Sequence, residues 1–158
     1  MSIILDTGPL VALLNRRDTY HHWAVEQWSS ARPPLLTCEA VIAEACFLVR
    51  TFPGGQAAVL GLVERGVVEM PFLLADQAHH VARLLKKYRN VPMSLADGCL
   101  VHMAKQHANS VILTLDSDFA IYRRNGREIV PLLTPGQVPG HRRAVAVHVT
   151  QDPPERPA

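Results

Sequence analysis

Ile3-Ile4-Leu5-Asp6-Thr7-Gly8-Pro9-Leu10 is the stretch that decides how this chain folds. Its branched apolar residues read as a buried strand over 2–6, and Gly8-Pro9 turns the chain into a short helix over about 9–14. Where the apolar run stops stands one carboxylate, Asp6. The same punctuation returns at Val111-Ile112-Leu113-Thr114-Leu115, which ends on Asp116. Two more acids sit in apolar frames: Glu44 within Ala40-Val41-Ile42-Ala43-Glu44-Ala45-Cys46, and Asp97 within Leu95-Ala96-Asp97-Gly98-Cys99-Leu100-Val101. Taking a carboxylate out of water is costly unless something compensates its charge. Four acids framed alike point to one shared partner, and a divalent cation is the natural candidate.

Outward from these stretches, strands alternate with helices. Helices are expected over 18–30, 38–51, 55–65, 76–88 and 95–107, with a short one over 117–124. The segment 76–88 has a clear apolar stripe at Ala78, Val81, Ala82, Leu85 and Tyr88. Extended segments are expected at 35–37, 67–72, 111–115 and 129–132. This alternation predicts an α/β domain of three layers with a mainly parallel sheet. From about 135 the character changes: Pro135, Pro139, Pro153, Pro154 and Pro157 crowd a polar tail. The domain is therefore expected over 1–135. Residues 136–158 read as a C-terminal extension, partly disordered beyond about 150, with Ala144–Val149 a candidate extra strand.

A length of 158 residues favours one domain, and 48% hydrophobic with 19% charged residues is the composition of a folded globular protein. No apolar run approaches the roughly 20 residues that span a bilayer, and Asp6 comes too early for a secretory signal, so no membrane role and a cytoplasmic location are expected. Cys38, Cys46 and Cys99 are odd in number and show no paired spacing, which suits small buried hydrophobes. The net charge of +2 names no partner by itself.

In an open parallel sheet, ligands bind beyond the carboxyl ends of the strands. Asp6 and Asp116 stand at such ends, and helices starting at the same edge bring Glu44 and Asp97 there. Clustered carboxylates raise one another's pKa values. A Mg²⁺ or Mn²⁺ ion reverses that logic, because hard cations prefer oxygen ligands and keep some of their water. Such a site activates water and clamps a scissile phosphate.

The residues 3–10, the helical Glu44, Ser94-Leu95-Ala96-Asp97-Gly98 and Leu113-Thr114-Leu115-Asp116-Ser117-Asp118-Phe119 together resemble the four acidic motifs of PIN-domain nucleases, in order, over roughly residues 2–133. The closest branch is the VapC-type ribonuclease toxins of toxin–antitoxin pairs. The resemblance implies a PIN-like α/β/α fold and a Mg²⁺- or Mn²⁺-dependent endoribonuclease. It assigns Asp6, Glu44, Asp97 and Asp116 to the metal cluster, with Asp118, Thr7 and Thr114 as auxiliary groups. It also implies an RNA substrate, a small antitoxin partner and a homodimer.

Plainer readings compete residue by residue. Ser94-x-x-Asp97 is the pattern of a capping box, a role compatible with metal binding. Asp6 alone fits an Asx-type turn, and Asp118 fits a helix cap better than a ligand. Glu44 has apolar helical neighbours at 40, 41, 45 and 48, where an unpaired carboxylate is expensive, so the functional reading leads. The pairs His21-His22 and His79-His80 point about 100° apart on a helix and read as solvated faces, not as a zinc site. Trp23 and Trp28 read as packing residues. Arg123, Arg124 and Arg127, after the last acidic motif, are candidate RNA-phosphate contacts, whereas Arg83, Lys86, Lys87 and Arg89 suit solubility equally well. A phosphoryl-transfer enzyme of the haloacid-dehalogenase kind needs a second Asp two residues after Asp6, where this chain has Gly8. A rival of another class is a non-catalytic PIN-like module that binds RNA or protein.

Overall fold

The computed structural model describes residues 1–136. The expected strand at 144–149 and most of the C-terminal extension lie outside the described residues.

In chain order the elements are β1 (Ser2–Leu5), α1 (Thr7–Leu14), α2 (His21–Ser30), β2 (Leu35–Leu36), α3 (Glu39–Leu48), α4 (Gly55–Glu64), β3 (Val68–Glu69), α5 (Leu74–Lys87), α6 (Leu95–Gln106) and β4 (Ser110–Leu113). A 3-10 turn at Ser117–Ala120 follows, then β5 (Arg123–Arg124), β6 (Glu128–Ile129) and β7 (Leu132–Leu133). Five strands form one sheet in the order β3-β2-β1-β4-β7, and every pairing in it is parallel. The chain builds one side of the sheet through β2 and β3, then crosses to place β4 on the other side of β1. The order therefore reverses between β1 and β4, whose ends meet in register at Leu5 and Leu113. That reversal opens a crevice at their carboxyl ends.

Side chains alternate across the sheet and divide the core in two. Ile4 and Ile112 face a cluster that includes Val81, Leu100, Met103 and Tyr122, under α5 and α6. Leu5 and Leu113 face a cluster that includes Leu10, Leu35, Val49 and Val59, under α1 and α4. The result is the expected three-layer α/β/α arrangement. Helix α6 is buried from Ala96 through Ala104, as a helix lodged against both the sheet and α5 must be. Trimming a fully buried residue such as Leu100 to Ala would cost about 2–5 kcal/mol. Trp23 and Trp28 pack at the margin of the second core.

Two expectations are corrected near the end of the domain. The helix expected over 117–124 is only the 3-10 turn at Ser117–Ala120; Arg123–Arg124 instead pairs antiparallel with Glu128–Ile129. Asn125 and Gly126, with φ of 48° and 86°, supply the left-handed turn that folds this hairpin back. The single strand expected over 129–132 is split by Pro131, which has no N–H to donate. Glu128–Ile129 serves the hairpin and Leu132–Leu133 joins the main sheet beside β4.

Candidate active site

Asp6, Glu44, Asp97 and Asp116 line one open cleft of about 460 Å³ at the β1–β4 crevice, with Thr7, Ser94 and Leu48 among its other walls. Four elements deliver the acids, and each has a local reason for its position. Asp6 ends β1 and caps α1: one carboxylate oxygen accepts from the Thr7 N–H at 2.7 Å, the other from the Thr114 hydroxyl at 2.6 Å. The Thr114 hydroxyl also accepts from the Asp116 N–H at 2.9 Å. One buried hydroxyl at the end of β4 thus fixes both strand-end acids. Gly8 keeps the β1–α1 turn close to that second loop, since a Cβ there would lie 3.2 Å from Leu115 Cβ.

Asp97 is the third residue of α6, and the expected capping box is present. Its carboxylate accepts from the Ser94 N–H at 2.9 Å, and Ser94 Oγ accepts from the Asp97 N–H at 3.1 Å. Capping holds this acid at the cleft mouth and leaves it available to a ligand. Asp116 accepts from the Asp118 N–H at 2.8 Å, and the Thr7 hydroxyl donates to Glu44 at 2.9 Å. Asp118 does not line the cleft, and the capping role expected of it is corrected: Asp116 is the cap of the 3-10 turn and Asp118 supplies the backbone N–H that orients it. Glu44 is exposed, so the expectation that it faces apolar neighbours is corrected. Helix α3 sends Val41 to one core and Ile42, Ala45 and Val49 to the other, which leaves Glu44 and Leu48 on its open side.

The electrostatics are those of crowded carboxylates. Burial is the main cause that pushes Asp6 up to about 6, against the lowering effect of its Thr114 and Thr7 hydrogen bonds; Asp97 and Asp116 raise it further. Asp97 is also held above the usual range, first by burial, with Asp116 and Glu44 adding to it and Ser94 opposing. Tyr122 was not singled out from sequence, yet its hydroxyl lies 3.5 Å from Asp97 and its own pKa is raised, first by burial and then by Asp97, Asp118 and Asp116. The only hint in the sequence is that a buried tyrosine must find its hydroxyl a partner.

The donor chemistry fits a hard divalent cation: every side-chain donor is oxygen, and Glu44, Asp97 and Asp116 each keep one carboxylate oxygen that accepts no hydrogen bond among the described residues. Among those residues no three Asp, Glu, His or Cys side chains already stand at the spacing of a closed metal cage. The cleft is an open-sided set of donors.

The three candidate arginines separate. Arg124 makes a 3.2 Å ion pair with Glu128, and its guanidinium donates to the Ala104 and Ala108 carbonyls at 3.3 and 2.9 Å, so it fastens the hairpin to the end of α6. Arg123 is braced by the carbonyls of residues 120–122, and Arg127 is exposed near the hairpin turn. Of the cysteines, Cys38 and Cys99 are buried as expected, and Cys46 is half-buried.

Comparison with known proteins gives the chain a family. A family model described as PIN domain matches residues 3–125. Ribonuclease VapC26 of Mycobacterium tuberculosis (strain ATCC 25618 / H37Rv) is 31% identical over 116 residues, which is 72% of this chain and 86% of that protein. The crystal structure of M. tuberculosis VapC20, a sarcin-ricin loop cleaving toxin, has a TM-score of 0.69 with 24% identity, covering 76% of this chain and 94% of that one. The chain belongs to the PIN domain family. Within that family it resembles the VapC-type nucleases, and its central parallel sheet with helices on both faces is the PIN fold.

Proposed function

We propose that this protein is a metal-dependent endoribonuclease, the toxin of a toxin–antitoxin pair, with residues 1–135 as its nuclease domain and 136–158 as an extension. The observation that carries the reading is the convergence of Asp6, Glu44, Asp97 and Asp116, from four separate elements, on one cleft at the strand-order reversal. Similarity to a protein named as a ribonuclease supports RNA as the substrate. A small antitoxin partner and a homodimer accompany the reading as features of VapC-type toxins.

Asp6, Glu44, Asp97 and Asp116 would hold Mg²⁺ or Mn²⁺. A bound ion supplies a water of lowered pKa and neutralises charge on the phosphodiester. The chain's own contribution is placement. Thr114 locks Asp6 and Asp116 in one orientation, Thr7 steers Glu44, and the Ser94 box aims Asp97. In-line attack by water forms one P–O bond as the opposite one breaks, and the four acids act as ligands, not as nucleophiles. Asp118 and Tyr122 act on the cluster through Asp116 and Asp97.

The rival reading, a non-catalytic PIN-like module, draws on the open spacing of the acids. Purified protein with a mixed pool of structured RNA decides between them, using Mn²⁺, EDTA, and the variants Asp97→Asn and Asp116→Asn. Cleavage with Mn²⁺ that is lost with EDTA and in both folded variants is expected. Folded wild type that neither cuts nor gains melting temperature with Mn²⁺, after any co-purified small protein is removed, would favour the binding module.

A further inference from the structure

A second cleft, of about 550 Å³, lies on the α5–α6 face and is lined by Arg83 and Lys87 from α5, Lys105 from α6 and Arg123 from β5. No carboxylate lines it. The four cations come from three elements, α5, α6 and β5, so the fold adds Lys105 and Arg123 to the Arg83–Lys87 pair of one helix. Arg83 and Lys87 are four residues apart on α5, where like charges repel. Among the described residues the only ion pair is Arg124 with Glu128, so none of the four is paired with a carboxylate of those residues. His102, at the wall, is pushed down to about 4, first by burial, with Lys105 and Arg83 adding to it beside His80 and His79.

Helix α6 and the segment 122–123 link the basic cleft to the acidic one. Val101, in its wall, is one turn after Asp97 on the same side of α6. Tyr122 reaches Asp97 while the next residue, Arg123, lines the basic cleft. Asp97 to Lys105 is eight residues of helix, about 12 Å along its axis, a distance that a few nucleotides span. The lining favours a phosphate backbone over a protein segment. Lys and Arg are the usual phosphate contacts. Leu84 and Val101 are the only aliphatic side chains in the wall and no Phe, Tyr, Trp or Met lines it, whereas protein interfaces rely on apolar and aromatic anchors.

We propose that the α5–α6 cleft is a second RNA contact, in which Arg83, Lys87, Lys105 and Arg123 hold phosphates a few nucleotides from the scissile bond. This rests on the ribonuclease reading, and the test keeps the two apart by measuring binding without cleavage. Arg83 and Lys105 are exposed, so Arg83→Gln/Lys105→Gln removes two charges without opening the core. Arg32→Gln/Arg65→Gln removes two from segments that lead into β2 and β3, at the opposite edge of the sheet. Binding of a single-stranded RNA of mixed sequence is measured in EDTA over a range of salt for wild type and both variants, with folding checked by melting. Each lost phosphate contact flattens the plot of log Kobs against log salt by about 0.7, so the cleft variant should be shallower by about 1.4. If the lines meet near 1 M salt, it should bind about 25-fold more weakly at 0.1 M. The control should keep the wild-type slope.

Equal slopes for wild type and the cleft variant would overturn the proposal and leave an acidic protein segment as the cleft's remaining partner, while wild-type cleavage with Mn²⁺ would still stand. Equal flattening in both variants would also overturn it, because the charge would then act without a site. A flattened slope in the cleft variant alone, from a protein that never cuts RNA, would keep the cleft and reject the nuclease. Failure of wild type to bind RNA at low salt would reject both.

Discussion

Replacing Asp6 with Asn should stabilise the ion-free protein at neutral pH. Asp6 is 7% exposed and its carboxyl is pushed from 3.8 to about 6, chiefly by burial. Because the folded-state pKa is raised, the folded protein holds this proton more tightly than the unfolded chain. The wild type therefore loses stability as the pH rises from about 4 to about 6, where the unfolded chain has released this proton and the folded protein still holds it. Two pKa units correspond to about 3 kcal/mol. Asn can accept the Thr7 N–H with its oxygen and donate its amide to Thr114, so most of the local hydrogen bonding survives the exchange. Urea unfolding of wild type and Asp6→Asn without divalent ions, from pH 4 to pH 7.5, gives a difference in which most other titrating groups cancel. That difference should be small near pH 4 and reach about 3 kcal/mol, or about 6–12 °C in melting temperature, above pH 7. Saturating Mn²⁺ should shrink it by stabilising only the wild type. A difference that stays constant across the pH range would refute the reasoning, since the variant would then be acting through packing and not through charge.

Thr114→Val removes the hydroxyl that serves both Asp6 and Asp116; unfolding should show a loss of about 1–3 kcal/mol, and cleavage should fall even at saturating Mn²⁺, while Thr114→Ser retains both. Ser94→Ala breaks the capping box and should cost about 1 kcal/mol in urea unfolding. The Asp97 carboxylate keeps the Ser94 backbone N–H, so the gain in melting temperature with Mn²⁺ should change little. Arg124→Ala should destabilise the hairpin by about 1–2 kcal/mol, yet leave the salt dependence of RNA binding unchanged, because its guanidinium is already engaged by Glu128 and two carbonyls.

Where the sequence was legible, one local signal carried the placement. Asp6 and Asp116 could be located because a buried parallel strand is nearly all apolar, and the first charge after it marks the strand's carboxyl end. Asp97 was legible twice over, since a capping residue and a cleft residue occupy the same position at the start of α6. Glu44 was placed on the right helix with the wrong surroundings: α3 divides its apolar residues between two cores, and no single-stripe reading shows which side stays open. The β5–β6 hairpin escaped notice because its strands are two residues each and depend on Asn125 and Gly126 taking up left-handed backbone. Tyr122 and the basic cleft were invisible for a different reason. Their partners lie far away in the chain and meet only when α5, α6 and the hairpin pack together.

The hydrogen bond from Thr114 to Asp6 joins residues 108 positions apart. Its consequence belongs to biosynthesis. A nascent chain displays Asp6, then Glu44 and Asp97, but Asp6 gains its Thr114 partner and its neighbour Asp116 only once β4 has emerged and paired with β1. Contacts of such long range form late and slowly. The full acid set is therefore missing until Asp116 has been made, and a chain halted before it lacks the four-acid cleft.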